Sequence, residues 1–236
     1  CEHLEKRGYR VTYVPVDRQG MLDLGHLKEN LTDDTAIVSI MWANNETGVI
    51  FPVEEVAKMT RERGIPFHTD AVQAVGKISV NVENAGVNML SPSGHKIHAP
   101  KGVAALYIRR GTRYAPFLIG GHQEKNRRGG TENTPSIIGF GKACELAEPH
   151  IRDHANRVSA LRDRLEEEIT SRVPNVLVNG NRKARLPNTT SLSFEYVEGE
   201  SILLMMDELG ICASSGSACT SGSLEPSHVL RAMGVP

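Results

Sequence analysis

The stretch IPFHTDAVQAVGKISVNVENAGVNMLSPSGHK, residues 65–96, decides the fold. Its first part, IPFHTDA (65–71), reads as a strand ending on an acid, and VNMLS (87–91) reads as a second strand that opens into the small-residue turn SPSGHK. Working toward the N-terminus, PVEEVAKMTRERG gives an amphipathic helix, with Pro52 at its first position and Gly64 as its cap. Before that helix, TAIVSIMWA (35–43) is an apolar run of the kind a sheet buries on both faces, and VTYVPVD (11–17) alternates like a strand. Beyond the turn, GVAALYIRR (102–110) continues the alternation. Strands that take turns with helices in this way indicate an α/β core built on a mostly parallel sheet.

From Pro135 the pattern changes to long helical stretches, GFGKACELAEP and HANRVSALRDRLEEEITSRVP, with Pro149 as the break between them. After the turn-rich NGNRKARLPN, the segment TTSLSFEYV reads as a strand and GESILLMMDELG as a helix, the start of a smaller α+β domain. The expected organisation is therefore part of a large domain over 1–148, a connecting helix over 149–174, and part of a small C-terminal domain over 175–236. The run SSGSACTSGS (214–223) consists almost entirely of small residues, a composition that suits a loop.

The bulk composition narrows the function classes. A chain of 236 residues with 39% hydrophobic and 23% charged side chains is globular, and 27 basic against 28 acidic groups give no broad pull toward nucleic acid. No apolar run reaches the roughly 18 residues that cross a bilayer, and no secretion signal opens the chain, so a cytoplasmic protein is expected. The four cysteines, Cys1, Cys144, Cys212 and Cys219, form no C-x-x-C pair and are too sparse for a disulfide framework. Cys1 opens the chain inside the helix-like CEHLEKRG, and Pro236 closes it just after another helical pattern, so both ends read as cut.

The chemistry centres on Asp70 and Lys96. In an open α/β sheet the C-terminal ends of the strands face the ligand crevice, which lets these two residues converge from different strands. An aldehyde cofactor with a pyridine ring needs a lysine amine for a Schiff base and a carboxylate that keeps the ring nitrogen protonated. Its phosphate needs hydroxyl, imidazole or backbone donors, which Ser93, Gly94 and His95 offer in the same turn. On spacing alone, the favoured reading is Asp70 as a helix cap and Lys96 as a solvated turn lysine.

The strings ANNETG, HTDAVQAVGK, SGHKIHAPKG, RRGGTEN, EGES and SSGSACTSGSLEPSHVLRAMG occur in an order that resembles the NifS/IscS-like cysteine desulfurases across nearly the whole chain. MWANNETG, HKIHAPKG and GGHQE look more like the nitrogen-fixation NifS branch than the housekeeping branch. The resemblance implies the fold-type I architecture of pyridoxal 5'-phosphate enzymes and a homodimer. It implies that Lys96 binds the cofactor, Asp70 pairs with the pyridinium, Asn45 and Gln73 contact the phenolic side of the ring, and Ser93, Gly94 and His95 serve the phosphate. It also implies that Thr131 reaches the phosphate of the neighbouring subunit. Without the resemblance, Asn45 and Gln73 read as turn or capping residues and Thr131 as a helix N-cap.

Among the cysteines, Cys144 and Cys212 read as small core residues, whereas Cys219 stands among Ser, Ala, Gly and Thr with no apolar segment to join. The resemblance implies that Cys219 takes sulfur from L-cysteine, leaving L-alanine, and hands it to an iron-sulfur scaffold protein for cluster assembly. Cys219 would touch an iron-sulfur cluster only in passing. His98, His122 and His228 lack metal-ligand spacing, so no intrinsic metal is expected. Rival readings are an aminotransferase or a selenocysteine lyase on the same fold, or a fragment that only binds a scaffold. The family's upstream phosphate loop and ring-stacking histidine, and its downstream carboxylate-binding arginine, have no counterpart in the sequence. The 236 residues alone are therefore expected to be inactive.

Overall fold

The computed structural model describes residues 1–213 and 227–235. Along the chain run α1 (Glu2–Glu5), α2 (Leu24–Asn30), β1 (Val38–Met41), α3 (Val53–Glu62), β2 (Phe67–Asp70), α4 (Val82–Ala85) and β3 (Met89–Ser91). Then follow a 3-10 helix (Gly94–Ile97), β4 (Tyr107–Ile108), the irregular α5 (Gln123–Asn126), α6 (Thr134–Ala147) and α7 (Ile151–Arg172). The last elements are β5 (Val176–Asn179), β6 (Ser191–Phe194), α8 (Gly199–Glu208) and α9 (His228–Ala232). Contacts gather into two compact units, one of residues 35–42 and 53–157, the other of residues 1–34, 43–52 and 158–236. Among the described residues no helix is long and apolar enough to cross a membrane.

The first unit holds a four-stranded sheet in the order β1-β2-β3-β4. β1, β2 and β3 are parallel, which requires a crossover between neighbours, and α3 and α4 supply the two crossovers. Helix α3 forms because Val53, Val56, Ala57 and Thr60 recur at helical spacing, and all four are buried. It packs on β2, and each buried valine contributes about 1.5–3 kcal/mol of transfer free energy. Phe67 and Thr69 of β2 are fully buried, while His68 and Asp70, on the opposite side of the pleat, are half-buried. One face of β2 therefore holds the sheet to the core and the other carries polar groups.

Several expectations are corrected here. VTYVPVD forms no strand beyond a single antiparallel bridge between Val16 and Leu22, because Pro15 has no N–H to give a ladder and most of its neighbours are exposed. GVAALYIRR forms a strand only at Tyr107–Ile108, and that strand pairs antiparallel with β3. The break expected at Pro149, by contrast, is observed between the two long helices. Pro149 lies within a 3-10 turn, Glu148–His150, between α6 and α7, where its missing N–H costs little.

The second unit contains the antiparallel pair β5 and β6, with Val176 opposite Phe194 and Asn179 opposite Ser191. The sequence reading includes the second of these strands but not the first. Glu166 of α7 is buried and receives Arg185 Nη1 at 2.5 Å, Thr190 Oγ1 at 2.6 Å and Arg182 Nη2 at 2.6 Å. Burial alone would raise its carboxyl pKa, but the hydrogen bonds from Arg185, Thr190 and Arg182 and the charge of Arg185 bring it down to about 2. A depressed carboxylate contributes stability that is complete above the ordinary carboxylate value, near 4.5, and is lost as pH falls toward about 2. Glu166→Gln strands the buried Arg185 and is expected to cost about 3 kcal/mol at neutral pH. Denaturant melts of both proteins near pH 7 and near pH 3 check this, and the difference should narrow at the lower pH.

Candidate active site

Both central candidates leave the sheet at the C-terminal ends of neighbouring strands: Asp70 closes β2, and Lys96 lies five residues past the end of β3. Asp70 is in register with Met41 of β1 and Ser91 of β3, and the chain leaves β2 with Ala71 N–H donating to Ser91 O at 3.0 Å. Asp70 Oδ1 accepts the Val72 N–H at 2.9 Å, which fixes the carboxylate. Among the described residues, Oδ2 has no hydrogen-bond partner. The capping reading of Asp70 thus holds for one oxygen, and the other remains for a ligand.

Lys96 lies in the 3-10 helix two residues past Gly94, half-buried. This turn is built tightly. Gly94 N–H donates to Val103 O at 3.0 Å, and a Cβ on Gly94 would stand 2.9 Å from Val103 Cγ1 and 3.0 Å from Val103 O, closer than packed atoms allow. Ile97 anchors the far end in the core, and His98 ends the turn in the left-handed region at φ 67°. Ser93 Oγ and His95 Nδ1 lie 2.8 Å apart, with His95 exposed, so two of the expected phosphate donors form one polar pair beside Lys96.

The polar face of the sheet continues this arrangement. The His68 ring joins Ser39 Oγ at 2.8 Å and Ser91 Oγ at 2.9 Å, a row across β1, β2 and β3. Burial lowers the His68 pKa, and the charge of Asp70 opposes that shift only in part. Gln73 follows in the turn after β2, where its Oε1 accepts from Lys77 Nζ at 2.7 Å. The sequence reading does not single out Lys77. Its signal is the four-residue spacing from Gln73 within the DAVQAVGK string.

The other candidates are placed as follows. In the ANNETG turn of the second unit, Asn44 is the structural residue, since its Oδ1 accepts the N–H groups of Glu46 and Thr47, both at 2.9 Å. Asn45 is exposed beside it. Thr131 is exposed ahead of α6, and the N-cap of that helix is Asn133, whose side chain accepts the Ser136 N–H. Thr131 is therefore not the cap. Cys144 and Cys212 are exposed, which corrects their reading as core residues: α6 buries none of its residues, so its apolar composition does not translate into burial. Cys219 lies outside the described residues.

The aminotransferase class-V profile matches residues 1–234. The chain belongs to the aminotransferase class-V family. The whole chain is 59% identical to a protein of Nostoc sp. named cysteine desulfurase and 58% identical to the cysteine desulfurase NifS of Azotobacter vinelandii. It spans 59% of the length of each. A solved NifS-like protein superposes with a TM-score of 0.90 at 37% identity, covering all of this chain and 61% of that one. Class-V enzymes of this kind are pyridoxal-phosphate dependent and have the fold-type I architecture. The class-V residues present fit that cofactor. Asp70 Oδ2 is an acceptor for a pyridinium N–H, Lys96 is a half-buried amine, and the Ser93–His95 pair supplies donors at the same end of the sheet.

Proposed function

We propose that the full-length protein is a cysteine desulfurase of the nitrogen-fixation NifS type, which supplies sulfur for iron-sulfur cluster assembly. The observation that carries this reading is the 59% identity, along all 236 residues, to a relative named for that activity. We place it in the cytoplasm as a homodimer, with residues 1–148 in the cofactor domain, 149–174 as the connecting helix and 175–236 in the small domain.

In this reading Lys96 and Asp70 hold the cofactor at its aldehyde and its ring nitrogen. Asn45 and Gln73 serve the phenolic side of the ring, and Ser93, Gly94 and His95 serve the phosphate. Thr131 does so for the partner subunit. The bound cofactor supplies an electron sink for bonds broken at the substrate α-carbon. Lys96 would be the base that moves the substrate α-proton. The Cys219 thiolate attacks the substrate sulfur, the carbon–sulfur bond breaks, and its electron pair ends as a C–H bond at Cβ after protonation. The products are L-alanine and a Cys219 persulfide, whose outer sulfur passes to a scaffold protein.

The test uses the full-length protein loaded with pyridoxal phosphate and given L-cysteine. Stoichiometric alanine and enzyme-bound persulfide support the reading. Exchange of amino groups with keto acids would instead mark an aminotransferase, and turnover confined to selenocysteine would mark a lyase.

A further inference from the structure

Lys77 is a half-buried amine beside the candidate cofactor lysine, and the mechanism above does not use it. The turn that follows β2 is nearly helical: Ala74 and Val75 both donate to Ala71 O at 3.0 Å, and Lys77 and Ile78 donate to Ala74 O at 3.0 and 3.1 Å. Residues four apart on such a turn share a side, and so Lys77 Nζ meets Gln73 Oε1 at 2.7 Å. Gly76 presses this turn against the lysine-bearing helix, since a Cβ there would lie 2.4 Å from Ile97 Cγ2, and its φ of +77° is one that glycine adopts freely. Burial lowers the Lys77 pKa first, and the charge of Lys96 lowers it further.

A carboxamide offers one acceptor oxygen and one donor NH₂, and an ammonium group can only donate. The Lys77 bond therefore assigns the Gln73 amide, with Oε1 toward Lys77 and Nε2–H left over. We propose that Lys77 is a positioning residue that locks the Gln73 carboxamide, so that Nε2 and not Oε1 is offered to the phenolic oxygen of the cofactor ring. A flipped amide would set a carbonyl oxygen against an oxyanion, which is repulsive. This inference rests on the cofactor reading of Lys96 and Gln73.

The test is a double-mutant cycle in the full-length protein. The cofactor-free forms of wild type, Lys77→Met, Lys77→Arg, Gln73→Ala and the Lys77→Met/Gln73→Ala pair are titrated with pyridoxal phosphate. The dissociation constant and the absorption maximum of the bound cofactor are read. Lys77→Met is expected to weaken binding about tenfold and to move the maximum, the effect of one charge-assisted hydrogen bond. Lys77→Arg, which keeps a cationic donor, is expected to restore most of both. In the Gln73→Ala background Lys77→Met should add less than about twofold. Losses that multiply would overturn the proposal, because Lys77 would then act independently of Gln73. An unchanged dissociation constant and maximum in Lys77→Met would overturn it as well, as would collapse of the cofactor-free fold in that variant with normal binding by Gln73→Ala. Failure of the underlying reading is seen separately, as cofactor still covalently trapped in Lys96→Ala, and that result removes the proposal with it.

Discussion

In the full-length protein, Lys96→Ala is expected to abolish covalent trapping of pyridoxal phosphate by borohydride and to lower turnover at least roughly 10²–10⁴-fold, whereas Lys101→Ala should leave both close to wild type. The contrast follows from how the two lysines are held. Lys96 is half-buried in a 3-10 turn whose ends are fixed by the close approach of Gly94 to Val103 and by the buried Ile97. That turn leaves β3 directly beside the strand end bearing Asp70. Lys101 is exposed beyond Pro100, where an amine is solvated and undirected. Reductive trapping followed by peptide mapping reads the two variants, and cofactor retained covalently by Lys96→Ala would defeat the assignment.

The positions of Asp70 and Lys96 were legible because Asp70 ends β2 and Lys96 sits in the turn after β3, and strand ends can be read from an apolar run followed by a polar or small-residue turn. The parallel pairing of β2 with β3 then sets Asp70 beside Ser91, where the turn that carries Lys96 begins. Asn44 was not legible as the structural member of ANNETG, since two adjacent asparagines differ only in which one turns inward to cap Glu46 and Thr47. VTYVPVD had the alternation of a strand but not its hydrogen-bond donors, because Pro15 interrupts it. β5 was missed because VLVN is four residues long, and short apolar runs do not distinguish strand from helix end. Lys77 was hidden for a different reason. Its role depends on which atom of an amide it meets, and that is a property of side-chain geometry.

Cys219→Ala in the full-length protein should keep its cofactor and still bind L-cysteine, while persulfide formation disappears and alanine production falls at least about a hundredfold. In the proposed reading cofactor binding draws on Lys96, Asp70 and the Ser93–His95 pair, none of which lies near Cys219 in sequence, so the two functions should separate by mutation. Cys219 itself lies outside the described residues, and its assignment comes from the resemblance of SSGSACTSGSLEPSHVLRAMG to the cysteine desulfurases. The exposure of Cys144 and Cys212 makes them genuine competitors, because an accessible thiol meets the first requirement of a sulfur acceptor. Cys144 meets the second poorly. Partial desolvation pushes its thiol pKa up, which reduces the thiolate available at neutral pH, and thiolate is the attacking species. Cys212 lies four residues past the end of α8 and two residues ahead of the Ser- and Gly-rich run, so its variant is the sharper control for Cys219. Alanine in place of either exposed thiol should therefore change stability by less than about 0.5 kcal/mol and turnover by less than about twofold. Alanine release and persulfide labelling in all three variants decide the matter: normal turnover by Cys219→Ala, or a loss confined to Cys212→Ala, would transfer the acceptor role away from Cys219.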